Sequence, residues 1–413
     1  MRNLVIIITT VLAFYSCNKK TEFSQWRGEN RDGIFNETNL LTTWPEEGPA
    51  LKWEFEGIGN GYGSPAITSD RLYIQGEIDS IGYLFAFDLQ GTLLWKEPYA
   101  KEWTLTFPGS RACPIVVDDM IYITSGLGNL SCFSAKEAKK LWSVDLKEDF
   151  NGAYTMHGHS EAALIDGDMI FLVPGGEEYN VVALNRFDGK LIWSCKGLGE
   201  RPAYNAPYII NLENRKILVT FTAYALLGID VNDGKLLWTH IQDNIPVDKH
   251  ALGMGDTHSN TVLYDNGFIY YVAGDGNCAV KLKLSDDGLQ IAEIWRNNQV
   301  DDYMGGIVKL GNYIYTGTTA KRSLVSVNIE DGSIADSLKI GSGNTIYADG
   351  NLYYYTQSGN VNLVKPQDGK LELISAFKVT KGTKEHFAHP VIDKGVLYVR
   401  HGNALMAYDI LKK

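Results

Sequence analysis

The stretch GIDVNDGKLLW, residues 228–238, has near-copies along the chain. AFDLQGTLLW ends at Trp95, CFSAKEAKKLW at Trp142 and ALNRFDGKLIW at Trp193. Each copy runs from a small residue through a polar turn to aliphatic residues and a Trp. A polar, Gly-bearing turn between two apolar runs is a hairpin signal. Repetition at a fixed period decides the architecture, overriding the two or three domains that 413 residues would otherwise suggest.

The copies extend upstream. Residues 111–142 carry RACPIVVDDMIYITSGLGNLSCFSAKEAKKLW, and three further units end at Trp193, Trp238 and Trp295. Copies six and seven keep the Asp-Gly turn and lose the Trp, and the eighth, from His389, stops one strand short. Each unit holds three or four runs of alternating residues, and the period is about 45, as for four-stranded propeller blades. A lone blade cannot bury both of its faces, so blades must stack, and the Trp is a flat surface to wedge between them. LKWEFEG, residues 51–57, reads as a fourth strand without its first three, with Trp53 at the repeat position. The expectation is all-β: eight blades, the last closed by this N-terminal strand, or seven if copies six and seven are irregular. Residues 51–413 form the propeller, 17–50 an anchor and extension, and 1–16 a signal peptide.

Composition agrees with this reading. Hydrophobic residues make up 45% and charged ones 21%, with 42 Gly, 23 Tyr and 9 Trp. MRNLVIIITTVLAFYSC has one early Arg and an apolar run too short for a comfortable span. It resembles a bacterial lipoprotein signal, with cleavage before Cys17 and lipids on that thiol. Removing residues 1–16 takes away one Arg and moves the formal charge from −11 to −12, which argues against nucleic acid as a partner. Cys113, Cys132, Cys195 and Cys278 form no CxxC or adjacent pair. Their apolar, strand-like neighbours favour buried free thiols.

ALNRFDGKLIW and GIDVNDGKLLW resemble the repeat of the PQQ-binding-like, quinoprotein-type propellers, with Asp where Thr is usual. The opening QWRGENRDGIFNETNLLTTWPEEGPALKWEFEGIGNGYGSPAI is similar to that of an exported, often lipid-anchored subfamily. The resemblance spans nearly the whole mature chain. It leaves two functions open, because the same repeat builds quinone enzymes and a non-catalytic lipoprotein of outer-membrane protein assembly. A quinone enzyme would need PQQ, Ca²⁺, a catalytic Asp and flat stacking surfaces. Glu161, Asn205 and Asp256 could supply the ion and base roles, and Trp103 a stacking surface. The adjacent-cysteine disulfide common in those enzymes is missing, as are their large insertions.

The segments leading into each first strand line up at the channel mouth: NGYGS (60–64), PGSRAC (108–113), MHGHSE (156–161), PAYNA (202–206), MGDTHS (254–259), DDYMGG (301–306), GSGNT (341–345) and EHFAHP (385–390). Convergent polar groups there form the default site. The ligand candidates are Arg111, His157, His159, Glu161, Tyr204, Asn205, Asp256, His258, His386 and His389; His250 lies nearby. His157 and His159, at i and i+2, share a face if extended and so suit a transition metal; their alternative is mutual hydrogen bonding around a wet channel. Arg111 suits an anionic ligand or a salt bridge. GMG (253–255) and GDGNC (274–278) read as turns. The expected function is an exported, lipid-anchored, monomeric propeller, periplasm-facing on the outer membrane. It binds or scaffolds a partner protein, peptide or small ligand in the cell envelope and is not an enzyme. The alternatives are a PQQ-dependent dehydrogenase oxidising an alcohol or sugar, and a hydrolase or lyase working through the His-rich mouth.

Overall fold

The computed structural model describes residues 22–242, 246–250, 256–274 and 278–413. They form eight antiparallel four-stranded blades, two of them extended by a short fifth strand. Blade 4 is typical: Tyr208–Leu212, Arg215–Phe221, Ala225–Asp230 and Leu236–Ile241 pair in sequence order. Its last turn is built from side chains, as the Asp230 carboxylate accepts the Asn232 N–H and the Asp233 carboxylate accepts the Lys235 N–H. Blade 8 takes its outer strand, Ala50–Glu56, from the N-terminus, with Trp53 opposite Ala407. The expected closure is therefore present, and both ends of the chain share one sheet.

The quoted repeat encodes a joint between blades. In every blade the pairing of the third and fourth strands slips by one residue beside the Trp position; in blade 4, Gly228 faces Trp238 and Ile229 faces Leu236. Such bulges re-aim side chains. Here the indole reaches the last turn of the next blade. Trp193 Nε1 donates to Val231 O at 2.9 Å, Trp238 to Gly288 O at 3.2 Å, Trp295 to Ile329 O at 2.9 Å and Trp53 to Leu89 O at 3.1 Å. Gly234 is needed twice at its joint. Its φ is +76°, and a Cβ would stand 2.6 Å from the Trp193 ring.

The apolar core is accordingly divided among eight seams, each cluster shared by two neighbouring blades. The four cysteines are buried free thiols within those seams. Blades 6 and 7 place Asp336 and Ser375 in the Trp register. At the seam of blades 7 and 8 the extension supplies the missing ring. Trp44 packs edge-on against Tyr353 and Phe377, donates Nε1 to Val361 O, and has its N–H held by Ser375 Oγ.

Within the stretch expected as an extension before residue 51, residues 22–40 run inside the ring. Phe23–Ser24 pairs with Ile115–Val117 of blade 2, and Ile34–Phe35 pairs in parallel with the inner strand of blade 7. The chain rises from the face where Glu22 meets Ser69 and Asp118, reaches the mouth at Trp26, and returns to the first face at Leu40, whose N–H is bound by Asp349. Arg31 and Arg27, both with positive φ, anchor this stopper. The Arg31 guanidinium donates to carbonyls of Ala162, Ala163 and Pro207, across blades 3 and 4. Arg27 donates to Ile307 O and Thr345 O, across blades 6 and 7, and to His389 Nδ1 of blade 8. The wet channel expected from the sequence is a stoppered one.

Candidate functional site

Above the stopper the mouth is a blind cup of about 390 Å³, the scale of small-ligand pockets. Trp26 lines it beside His389, their rings 5.1 Å apart. Its wall is a belt of neighbouring rings: Tyr62–Phe387 at 5.4 Å, Phe387–Phe107 at 5.7 Å, Phe107–His157 at 5.3 Å and His157–Tyr204 at 6.0 Å. Tyr303 and Met304 complete the lining. Leu105 (79% exposed) and Met156 (49%) stand in water beside it, and the belt's own Phe107 is 41% exposed. Three exposed apolar side chains grouped at the rim of an apolar cup make this mouth the candidate binding surface.

Most polar groups of the cup are already engaged. Arg111 donates to the carbonyls of Gly109, Thr106 and Phe107, each at 2.7 Å, with its guanidinium 6.0 Å from the Tyr62 ring. It makes no salt bridge among the described residues, and burial lowers its pKa. His389 accepts from Arg27 at Nδ1, which leaves Nε2 to donate to Met304 O. Burial brings its pKa down to about 3, so it is neutral at physiological pH. The Tyr204 hydroxyl accepts the His157 N–H, and burial raises its pKa to about 12.

The alternation of the lead-in segments sorts the expected residues. Positions 62 and 64, 111 and 113, 160 and 162, 204 and 206, 257 and 259, and 387 and 389 line the cup. Of the ten candidates Arg111, His157, Tyr204 and His389 do so, and the other six turn into the seams. Glu161 accepts the Val173 N–H through one oxygen and leaves the other buried without a hydrogen bond; burial pushes its pKa up to about 8. Asn205 donates to Ala206 O, and Asp256 is ion-paired with Arg201 at 2.8 Å. His258 stacks on Phe221 and faces Ala223 O through Nε2. His386 stacks on His401 with centroids 3.6 Å apart. His159 packs edge-on against Tyr154. His250 stacks on Tyr224, outside the cup.

The geometry separates the two histidines of the expected metal pair. The segment bearing His157 and His159 is not extended: Gly158, at φ +78°, donates back to Thr155 O. His157 then meets Thr106 and the cup, whereas His159 lies buried against Tyr154. Among the described residues no three His, Cys, Asp or Glu side chains are grouped to hold a metal ion. A quinone with its Ca²⁺ does not fit either. Glu161, Asn205 and Asp256 do not line the cup, and Trp103 is packed between Tyr154 and Gly158. Cys17, the 253–255 turn and residues 275–277 of the next one lie outside the described residues.

Sequence reasoning missed Trp26, Tyr62, Phe107, Tyr303, Met304 and Phe387. It weighed polar groups, yet the quoted lead-in segments contain four of these residues and PGSRAC begins one past Phe107. An aromatic two residues before the strand-proximal position recurs as Tyr62, Tyr204 and Phe387, and that was the available signal.

A family model described as outer membrane protein assembly factor BamB matches residues 80–338. The outer membrane protein assembly factor BamB of Yersinia pestis is 22% identical over 288 residues, which cover 67% of this chain and 67% of that protein. The quinoprotein alcohol dehydrogenase PedH of Pseudomonas putida is 28% identical over 153 residues, covering 33% of this chain and 24% of that enzyme. The crystal structure of BamB from Moraxella catarrhalis aligns with a TM-score of 0.63 at 13% identity, over 88% of this chain and all of that one. The family match takes in well over half of the chain, from the first blade to the outer strand of the sixth, and by it the chain belongs to the BamB family of PQQ-like β-propellers.

Proposed function

We propose that this protein is an exported, lipid-anchored scaffold that docks a partner protein in the cell envelope through the mouth of its propeller. The observation that carries this reading is the cup: a belt of rings that includes exposed Phe107, with exposed Leu105 and Met156 beside it and its polar groups largely engaged by the protein itself. Such a surface suits an apolar side chain pressed in from another molecule. Among the described residues it has no convergent acid, base or ion shell, and the residues that the quinoprotein resemblance assigned to those tasks point away from the cup. Relatives named as outer membrane assembly factors point the same way.

Anchoring at Cys17, with residues 1–16 as the signal peptide, belongs to this reading, as does a periplasm-facing position on the outer membrane. A photoreactive side chain at Leu105 or Met156 should form adducts with discrete envelope proteins, and Phe107→Ser in the same background should abolish them. Adducts formed only from the opposite face, at Phe187 for example, would sink the docking reading. Cys17→Ser should release the protein from membranes, because two kinds of acyl attachment are lost together; unchanged partition into detergent would place the anchor elsewhere.

A further inference from the structure

Exposed cations cluster on one arc of the mouth face. Lys321 and Arg322 lie in a turn of blade 6, and Lys339 directly follows its outer strand, Ile334–Leu338. Lys378 ends the outer strand of blade 7, Lys370–Lys378, and Lys384 lies in the link to blade 8. All five are exposed. Lys321 donates to Gln299 and Lys378 to Ser358 O, and none of the five has an ion-pair partner among the described residues. The acids nearby are engaged elsewhere. Glu54 and Glu56 hold Lys381 at 3.0 and 3.5 Å, and Glu385 accepts the Tyr62 hydroxyl. Across the cup, blades 2 and 3 present exposed Glu148, Asp149, Glu177 and Glu178, interspersed with exposed Lys147 and Lys196. In a chain of net charge −11, five unpaired cations on one arc gain nothing from packing and repel one another.

We propose that the arc from Lys321 to Lys384 docks an acidic segment of the partner protein whose apolar part enters the cup; this rests on the mouth being the docking site. An extended segment crossing the mouth meets Leu105 and Met156, then the belt of rings, then the cations. Charge complementarity of this kind sets orientation and encounter rate. The arc faces away from the anchoring membrane. Glu22 sits at the opposite face, bound to Ser69 and Asp118, and the five residues back to Cys17 span at most about 17 Å. Headgroups of that membrane therefore lie on the wrong side, and a protein segment is the occupant.

Three fluorescein-labelled peptides test this. One joins a Phe-Leu-Trp head to a Glu/Asp tail, one joins the same head to a Gln/Asn tail, and one joins a Gly-Ser head to the acidic tail. The first should bind the full-length protein about tenfold tighter than the second at low ionic strength, and the advantage should shrink with added salt. It should vanish in the Lys321→Glu, Lys378→Glu, Lys384→Glu variant, whose melting temperature should match the parent's because all three side chains are exposed. Equal affinity for acidic and amide tails, indifference to the triple variant, or no binding of the first peptide overturns the arc. Binding set by the head alone keeps the cup and discards the arc. Binding of the acidic tail regardless of its head, lost in the triple variant, keeps the arc and discards the cup. Capture by phosphatidylglycerol vesicles through the same lysines, with no peptide binding, reassigns the arc to a membrane and overturns the proposal.

Discussion

The seams of blades 3–4 and 7–8 reach the same end by different routes. At the first, Trp193 of the repeat packs on Gly234 and bonds Val231 O of the following turn. At the second, the repeat offers Ser375, and Trp44 arrives from the extension to fill the space between Tyr353 and Phe377. The two indoles are buried to a similar degree, 8% and 5% exposed. The lesson is that these seams are filled by a flat side chain whose chain position varies; where Asp336 holds the register of blade 6, the Tyr313 ring lies against Gly369 of the next turn.

The largest expected effect tests how far the N-terminus carries the ring. Deleting residues 50–56 removes Trp53 and bares the edge of Ala404–Asp409. Loss of the cooperative melting transition is expected, and a truncated protein melting with the parent would show that closure is dispensable. Next, Trp44→Ala and Trp193→Ala should each cost about 3–5 kcal/mol by chemical denaturation. A cost below about 1 kcal/mol for Trp44 alone would break the equivalence of the two seams. The smallest effect concerns polarity at the seam of blades 3 and 4. Glu161 keeps its proton in the folded protein up to about pH 8, whereas an ordinary Glu releases it near 4.5. The folded state then holds a proton that the unfolded chain gives up, so stability falls as pH rises across that window. Glu161→Gln should erase this slope and gain on the parent from about pH 5 to 8, as read by paired melting curves. Parallel curves would mean that Glu161 is charged in place.

Much of the architecture was legible because its signals are local and periodic. The turn, the bulge and the Trp lie within eleven residues, and the closing strand carries the same Trp. The stopper was not legible. It pairs through two-residue strands and holds the ring through Arg27 and Arg31, whose acceptors are mainly backbone carbonyls that no side-chain pattern reveals. The site was half legible. The lead-in segments do converge on the mouth, but which residue of each faces the cup depends on backbone parity, and Gly158 resets it between His157 and His159.

The path of residues 22–56 has a consequence for how the protein comes into being. These residues are synthesised early, yet Arg27 waits for an acceptor 318 residues downstream, and Trp53 for the strand that ends at Asp409. Non-local pairing of this span is slow, and the unfinished edges are open to aggregation until it forms. A chain cut short anywhere in the last blade leaves its closing strand unpaired at the edge. Folding thus ends with a check on completeness, in which the first-made segment certifies the last.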